Sequence, residues 1–132
     1  MPLNHFYPKP GHILLCDFTR GFIEPEMVKR RPVVVISPAS THSRKLCTVV
    51  PLSTTAPDPA QDWHYLLRNN PCPDTLAYAQ IWAKGDMLYT VSFERLDKLH
   101  RRTRNGREYY APLMDKGDYS GVLAAVKAYL PL

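Results

Sequence analysis

The sequence predicts a mainly β protein: short strands in a small, strongly bent sheet or barrel, closed by one C-terminal helix. Three observations carry this. Proline occurs 13 times in 132 residues and glycine 6 times, a punctuation that suits short strands and turns and excludes long helices. The apolar runs are short and β-branched, as in Val33-Val34-Val35-Ile36. A single helical period closes the chain, at Val122, Leu123, Val126, Tyr129 and Leu130.

The elements follow in order. Residues 12–18 are apolar between Gly11 and Thr19-Arg20-Gly21 and read as a strand. Residues 19–31 read as a long polar loop ending in Lys29-Arg30-Arg31, and 32–37 as a buried strand closed by Pro38. Residues 37–45 are turn-like, and 46–53 form a strand with Pro51 marking a bend or an edge. After a loop at 54–62 comes a short strand at 63–67, then a turn at Asn69-Asn70-Pro71. Residues 76–83 and 86–92 read as extended segments broken at Lys84-Gly85. That break fits either a hairpin or a bulge in one long, bent strand. Residues 93–99 hold one helical turn. Residues 100–112 are basic, with the hairpin turn Asn105-Gly106. The helix spans 119–130, with Asp118 or Ser120 as its cap and Pro131 after its end.

The length fits one domain, and 45% hydrophobic with 22% charged residues excludes wholesale disorder. The net charge of +5 makes a polyanion the first partner to test, although a solvated basic surface has the same composition. Cys16, Cys47 and Cys72 are an odd set without close spacing. They form neither a disulfide framework nor a zinc site, and Cys16 and Cys47 read as buried thiols. The five histidines show no metal-ligand spacing, so no metal or cofactor is expected. No apolar run suits a signal peptide or a membrane span, which predicts a cytoplasmic protein.

Three stretches carry possible chemistry. Arg31 directly precedes a buried strand, so the sheet fixes its backbone while its guanidinium can grip a phosphate; an ordinary rim arginine would look the same. Ser53, Thr54 and Thr55 leave a strand together and can hydrogen-bond a phosphate oxygen or simply form a turn. Lys84 and Asp86 point the same way if their segment is extended, which would supply a cation and a base, or a surface ion pair.

In this order the stretches resemble the PemK/MazF family of type II toxin–antitoxin systems. The resemblance rests on Gly11-His12-Ile13, Asp17-Phe18 and Glu26, and most specifically on the run from Arg31 to Pro38. It continues through Val50-Pro51-Leu52-Ser53-Thr54 and through Asp86, Thr90, Val91, Arg95 and Leu96. It implies an SH3-like barrel with a C-terminal helix, and a single toxin domain over 1–132 with a basic insertion at about 100–112. It also implies a homodimeric, metal-independent endoribonuclease whose partners are single-stranded RNA, chiefly mRNA, and a cognate antitoxin. By the same resemblance Arg31, Ser53 and Thr54 hold the scissile phosphate, Asp86 is the general base and Lys84 the general acid. Glu26 supports the site, and Lys29, Arg30, Arg101, Arg102 and Arg104 contact RNA. The family's usual Gln and Arg after the acid are here Met87 and Tyr89, at positions the resemblance places along the path of the bases. Two other readings stay open: a non-catalytic RNA-binding barrel descended from a toxin, and a gyrase inhibitor of the CcdB type.

Overall fold

Alternation along the first two strands explains why the runs from Ile13 to Cys16 and from Pro32 to Val35 are apolar without a break. In β1 (Ile13–Asp17), Ile13 faces one side of the sheet and Leu14 and Cys16 the other. In β2 (Arg30–Val35), Val34 joins the side of Ile13, and Val33 and Val35 join the side of Leu14. Each side carries its own buried cluster, so no face of these strands needs polar residues. This is a computed structural model, and it describes residue 3, residues 6–71 and residues 80–131.

The remaining elements are β3 (Leu46–Ser53), β4 (His64–Leu66), β5 (Trp82–Lys84), β6 (Tyr89–Ser92), β7 (Leu96–Asp97), β8 (Leu99–Thr103), β9 (Gly106–Tyr110) and α1 (Lys116–Tyr129). Seven strands form one antiparallel sheet in the order β4-β5-β3-β2-β1-β7, with β6 also paired to β3. Strands β8 and β9 form a separate hairpin. The expected mainly β fold with a C-terminal helix is therefore present.

The break at Lys84-Gly85 resolves as a bulge. Leu52 pairs with Ala83 and Val49 with Tyr89, so three steps along β3 are matched by six on the other side. A 3-10 turn at Gly85–Met87 takes up the excess. Lys84 ends β5 while Asp86 lies in the turn, so the condition under which the two would point the same way, one extended segment, is not met. The part of the predicted 76–83 strand before residue 80 falls outside the described residues, as does Cys72.

The helix begins at Lys116, three residues earlier than its apolar period indicates, because Asp115 is the cap: its carboxylate accepts the Asp118 N–H at 3.1 Å. Val122, Ala125 and Val126 face the core, whereas Tyr129 is 45% exposed and meets the edge of Trp63 instead. Asp118, expected as a cap, is fully buried inside the first turn. It accepts hydrogen bonds from the Tyr65 hydroxyl at 2.7 Å and from the Arg68 and Asn69 N–H groups at 3.0 Å each. Two glycines let the helix close on the sheet. A Cβ at Gly121 would overlap the Tyr65 ring, and one at Gly85 would lie 3.0 Å from the helix backbone at Ala125 and Val126. Cys16 and Cys47 are buried free thiols, and burial pushes each up to about 12. Among the described residues no helix is long and apolar enough to cross a membrane.

Asp118 sets an acid limit on stability. Burial alone would raise its affinity for a proton, but the donors from Arg68, Asn69 and Tyr65 outweigh that and hold the carboxyl below its ordinary 3.8. Its contribution is therefore fully present above pH 3.8 and is lost as pH falls through the lower native value. Asp118→Ala leaves three partly buried donors without their acceptor and should cost about 2–3 kcal/mol in urea unfolding at neutral pH. Asp118→Asn should also be destabilised, and its stability should vary less with pH on the acid side than that of the wild type.

Candidate active site

Register builds the site. Val33 pairs with Pro51, so one pair further along the same face Arg31 stands beside Ser53. Ser53 pairs with Trp82 on β5, and two residues on from Trp82 the same face presents Lys84, which pairs with His64 on β4. The result is a stripe of Arg31, Ser53 and Lys84 across three strands. It floors a pocket of about 490 Å³, walled by Glu24, Pro25, Glu26, Met27, Val28 and Lys29 of the loop, with Thr55 and Met87 completing the lining.

Each polar group in the stripe is held by its backbone. Arg31 is locked into the β1–β2 ladder opposite Cys16, and its Nε is buried without a hydrogen-bond partner among the described residues. A buried N–H of this kind is a donor still in need of an acceptor. Ser53 is buried, and its Oγ accepts the Thr55 N–H at 3.1 Å, which leaves the hydroxyl proton free to donate. Thr54 is exposed and does not line the pocket; Thr55 does.

Asp86 projects from the turn between two lining residues, Lys84 and Met87, without lining the pocket itself. Its Oδ1 is buried and lies 3.6 Å from His64 Nε2, just beyond hydrogen-bond length. His64 Nδ1 accepts the Gln61 N–H at 3.0 Å, so in the neutral ring the proton sits on Nε2 and faces Asp86. His64 was missed because its placement depends on the β4–β5 pairing, which no local pattern announces.

The loop wall is tied down at several points. Glu26 Oε1 accepts the Ile23 N–H at 2.7 Å, closing a tight turn. The Met27 N–H donates to the Tyr89 hydroxyl at 3.1 Å, and the Tyr89 ring packs at 5.2 Å from both Phe18 and Phe22. Tyr89 is thus part of the loop's anchor, while Met87 lies in the pocket wall. Arg95 donates to the Arg20 carbonyl at 2.7 Å and lies over the Phe22 ring.

The other predicted contact residues lie elsewhere. Arg30 turns away and pairs with Asp17 at 3.6 Å. Arg101 pairs with Glu108 at 2.5 Å, while Arg102 and Arg104 are exposed on the hairpin, and none of these lines the pocket. Among the described residues no group of three or more His, Cys, Asp or Glu is placed to hold a metal ion.

Comparison with known proteins places this geometry. Residues 9–113 match the family described as PemK-like, MazF-like toxin of type II toxin-antitoxin system. The uncharacterized protein YifN of Escherichia coli (strain K12) is 34% identical over an alignment covering 74% of this chain and 76% of that protein. The fold is similar to that of MazF from Deinococcus radiodurans, with a TM-score of 0.68 at 19% identity over 96% of this chain and 99% of the other. It is also similar to an endoribonuclease from a mycobacterial species in complex with its cognate antitoxin, with a TM-score of 0.65 at 15% identity over 95% and 96% of the two chains.

An anion in the pocket should be detectable without any reaction. Inorganic phosphate should raise the melting temperature of the wild type, by about 1.4 kcal/mol of added stability at tenfold over its dissociation constant. Arg31→Ala should melt normally in phosphate-free buffer and lose most of that increment.

Proposed function

The chain belongs to the PemK-like, MazF-like toxin family of type II toxin–antitoxin systems, and from that premise we propose that it cuts single-stranded RNA in this pocket without a metal ion. The observation that carries the reading is the stripe of Arg31, Ser53 and Lys84, which the sheet register holds side by side in a pocket with a carboxylate at its edge. RNA brings its own nucleophile, the ribose 2′-hydroxyl, so the protein need only orient it, move two protons and stabilise charge.

Asp86 takes the proton of the 2′-hydroxyl through Oδ2, with Oδ1 turned toward His64. The freed oxygen attacks the adjacent phosphorus in line. Negative charge builds on the non-bridging oxygens, where the Arg31 guanidinium and the hydroxyl of Ser53, aided by Thr54 or Thr55, donate to it. The Lys84 ammonium gives its proton to the departing 5′-oxygen. The products are a 2′,3′-cyclic phosphate and a 5′-hydroxyl end. Glu26 shapes the loop wall, and Lys29 attracts the RNA backbone.

The partners follow from the same reading. A cognate antitoxin, acidic and extended, covers the basic pocket, as a cognate antitoxin accompanies the mycobacterial endoribonuclease of similar fold. The toxin works as a homodimer in the cytoplasm.

Purified protein incubated with a defined RNA in EDTA should yield 2′,3′-cyclic phosphate ends, and the matching DNA should stay whole. In single-turnover cleavage at saturating RNA, Arg31→Ala should be slowed by about two orders of magnitude, roughly 3 kcal/mol. Asp86→Asn should be slowed as severely, with RNA affinity retained. Wild-type protein that leaves RNA intact under these conditions overturns the reading.

A further inference from the structure

The hairpin β8–β9 lies outside the pocket and carries a surface that folding alone does not explain. Its register pairs Leu99 with Tyr110, His100 with Tyr109, Arg101 with Glu108 and Arg102 with Arg107. Paired residues share a face, and the faces alternate. The inner face is self-sufficient: Leu99 is buried in the core, Tyr110 packs against it, and Arg101 lies over the Tyr110 ring while bonded to Glu108.

The outer face is the reverse. Arg102 stands directly opposite Arg107, a like-charge pair that weakens a two-stranded ribbon. Glu108, the hairpin's only acid, lies on the other face and is bonded to Arg101. Beside the arginines, His100 and Tyr109 place their rings 5.8 Å apart, and Tyr109 is 50% exposed. Arg104 adds a further exposed cation at the turn, where Gly106 supplies the positive φ of 107°. Two cations facing one another beside two exposed rings match a strand of nucleic acid: phosphates neutralise the cations and a base covers a ring.

We propose that the outer face of β8–β9 is a single-stranded RNA platform, on which Arg102 and Arg107 bind phosphates and Tyr109, backed by His100, stacks a base. The proposal rests on RNA being this protein's substrate and adds a second binding region to the pocket. Arg101, sequestered by Glu108, is not part of it, which separates this face from a simple count of basic residues.

The test is binding of a dye-labelled 2′-O-methyl oligonucleotide, which has no free 2′-hydroxyl and cannot be cut, followed by anisotropy across a salt series. The Arg102→Gln, Arg107→Gln double variant should lower the magnitude of the log–log salt slope by about 1.4, some 0.7 for each phosphate of a single strand that is no longer neutralised. Arg102→Lys with Arg107→Lys should keep the slope. Tyr109→Ala should weaken binding about tenfold, and Tyr109→Phe should not. Arg101→Gln should leave the slope unchanged. Melting temperatures of all variants confirm the fold. A wild-type salt slope in the folded double Gln variant overturns the platform. So does unchanged RNA binding by variants that lose affinity for the cognate antitoxin, because the face would then be a protein-binding surface. Oligonucleotide binding that follows these expectations in a protein that cuts no RNA supports the platform and overturns only the cleavage reading.

Discussion

The structure turns on the absence of a side chain at Gly85. A Cβ there would meet the Trp63 carbonyl oxygen at 2.8 Å and the helix backbone at Ala125 and Val126 at 3.0 Å. Backbone lies on both sides, so neither neighbour could move aside cheaply. The Gly85 N–H donates to that Trp63 carbonyl at 2.8 Å, which fixes the bulge to the start of β4. The same three-residue excess that lets α1 press on the sheet also sets the spacing of Lys84, Asp86 and Met87. Helix docking and the geometry of the candidate site are therefore one constraint. A larger residue at 85 would disturb both, and a change deep under the helix would reach the pocket through this turn.

Asp118 secures the other end of the same interface. Its three donors come from Tyr65 and from the backbone just beyond β4, so one buried carboxylate ties the helix's first turn to the edge strand. Gly121, one turn on, admits the Tyr65 ring against the helix. Strand β4 contributes His64 on its opposite face, where it meets Asp86. A short edge strand of three residues has little pairing energy of its own. The helix therefore keeps His64 in place at a distance, through Tyr65 and Asp118.

Local patterns made much of the fold legible, and long-range pairing explains the rest. The run Val33-Val34-Val35, the strand 46–53 and the Asn105-Gly106 turn all express themselves within a few residues, and each lies where expected. The helix was legible in its apolar face but not at its start, because Asp115 and Asp118 divide the roles of cap and buried hub in a way that composition alone does not separate. At the site, Arg31, Ser53 and Lys84 were identifiable as residues, but their alignment depends on two strand pairings. Lys84 and Asp86 would point the same way only in one extended segment, and the 3-10 turn at Gly85–Met87, which holds Asp86, takes its place, a feature with no signal beyond one glycine. Tyr89 hydrogen-bonds Met27 and packs on Phe18 and Phe22, contacts that depend on the fold of the 19–31 loop and not on a local pattern. Thr55 rather than Thr54 reaches the pocket, a matter of which way the chain turns as it leaves β3.

The distribution of charge says more than its sum. A net charge of +5 describes many proteins that bind no polyanion. Here several cations are already engaged: Arg30 with Asp17, Arg101 with Glu108, and Arg95 with backbone carbonyls beneath the loop. In the pocket, Lys29, Arg31 and Lys84 stand among Glu24 and Glu26, so attraction for an anion there depends on how these charges are arranged more than on their sum. On the hairpin, Arg102 and Arg107 face each other, and the hairpin's own acid, Glu108, lies on the other face. Cations that stabilise the fold are thus paired within the chain, whereas these are held against their own repulsion by the sheet. Such an arrangement lowers the stability of the free protein and is relieved only when something negative arrives.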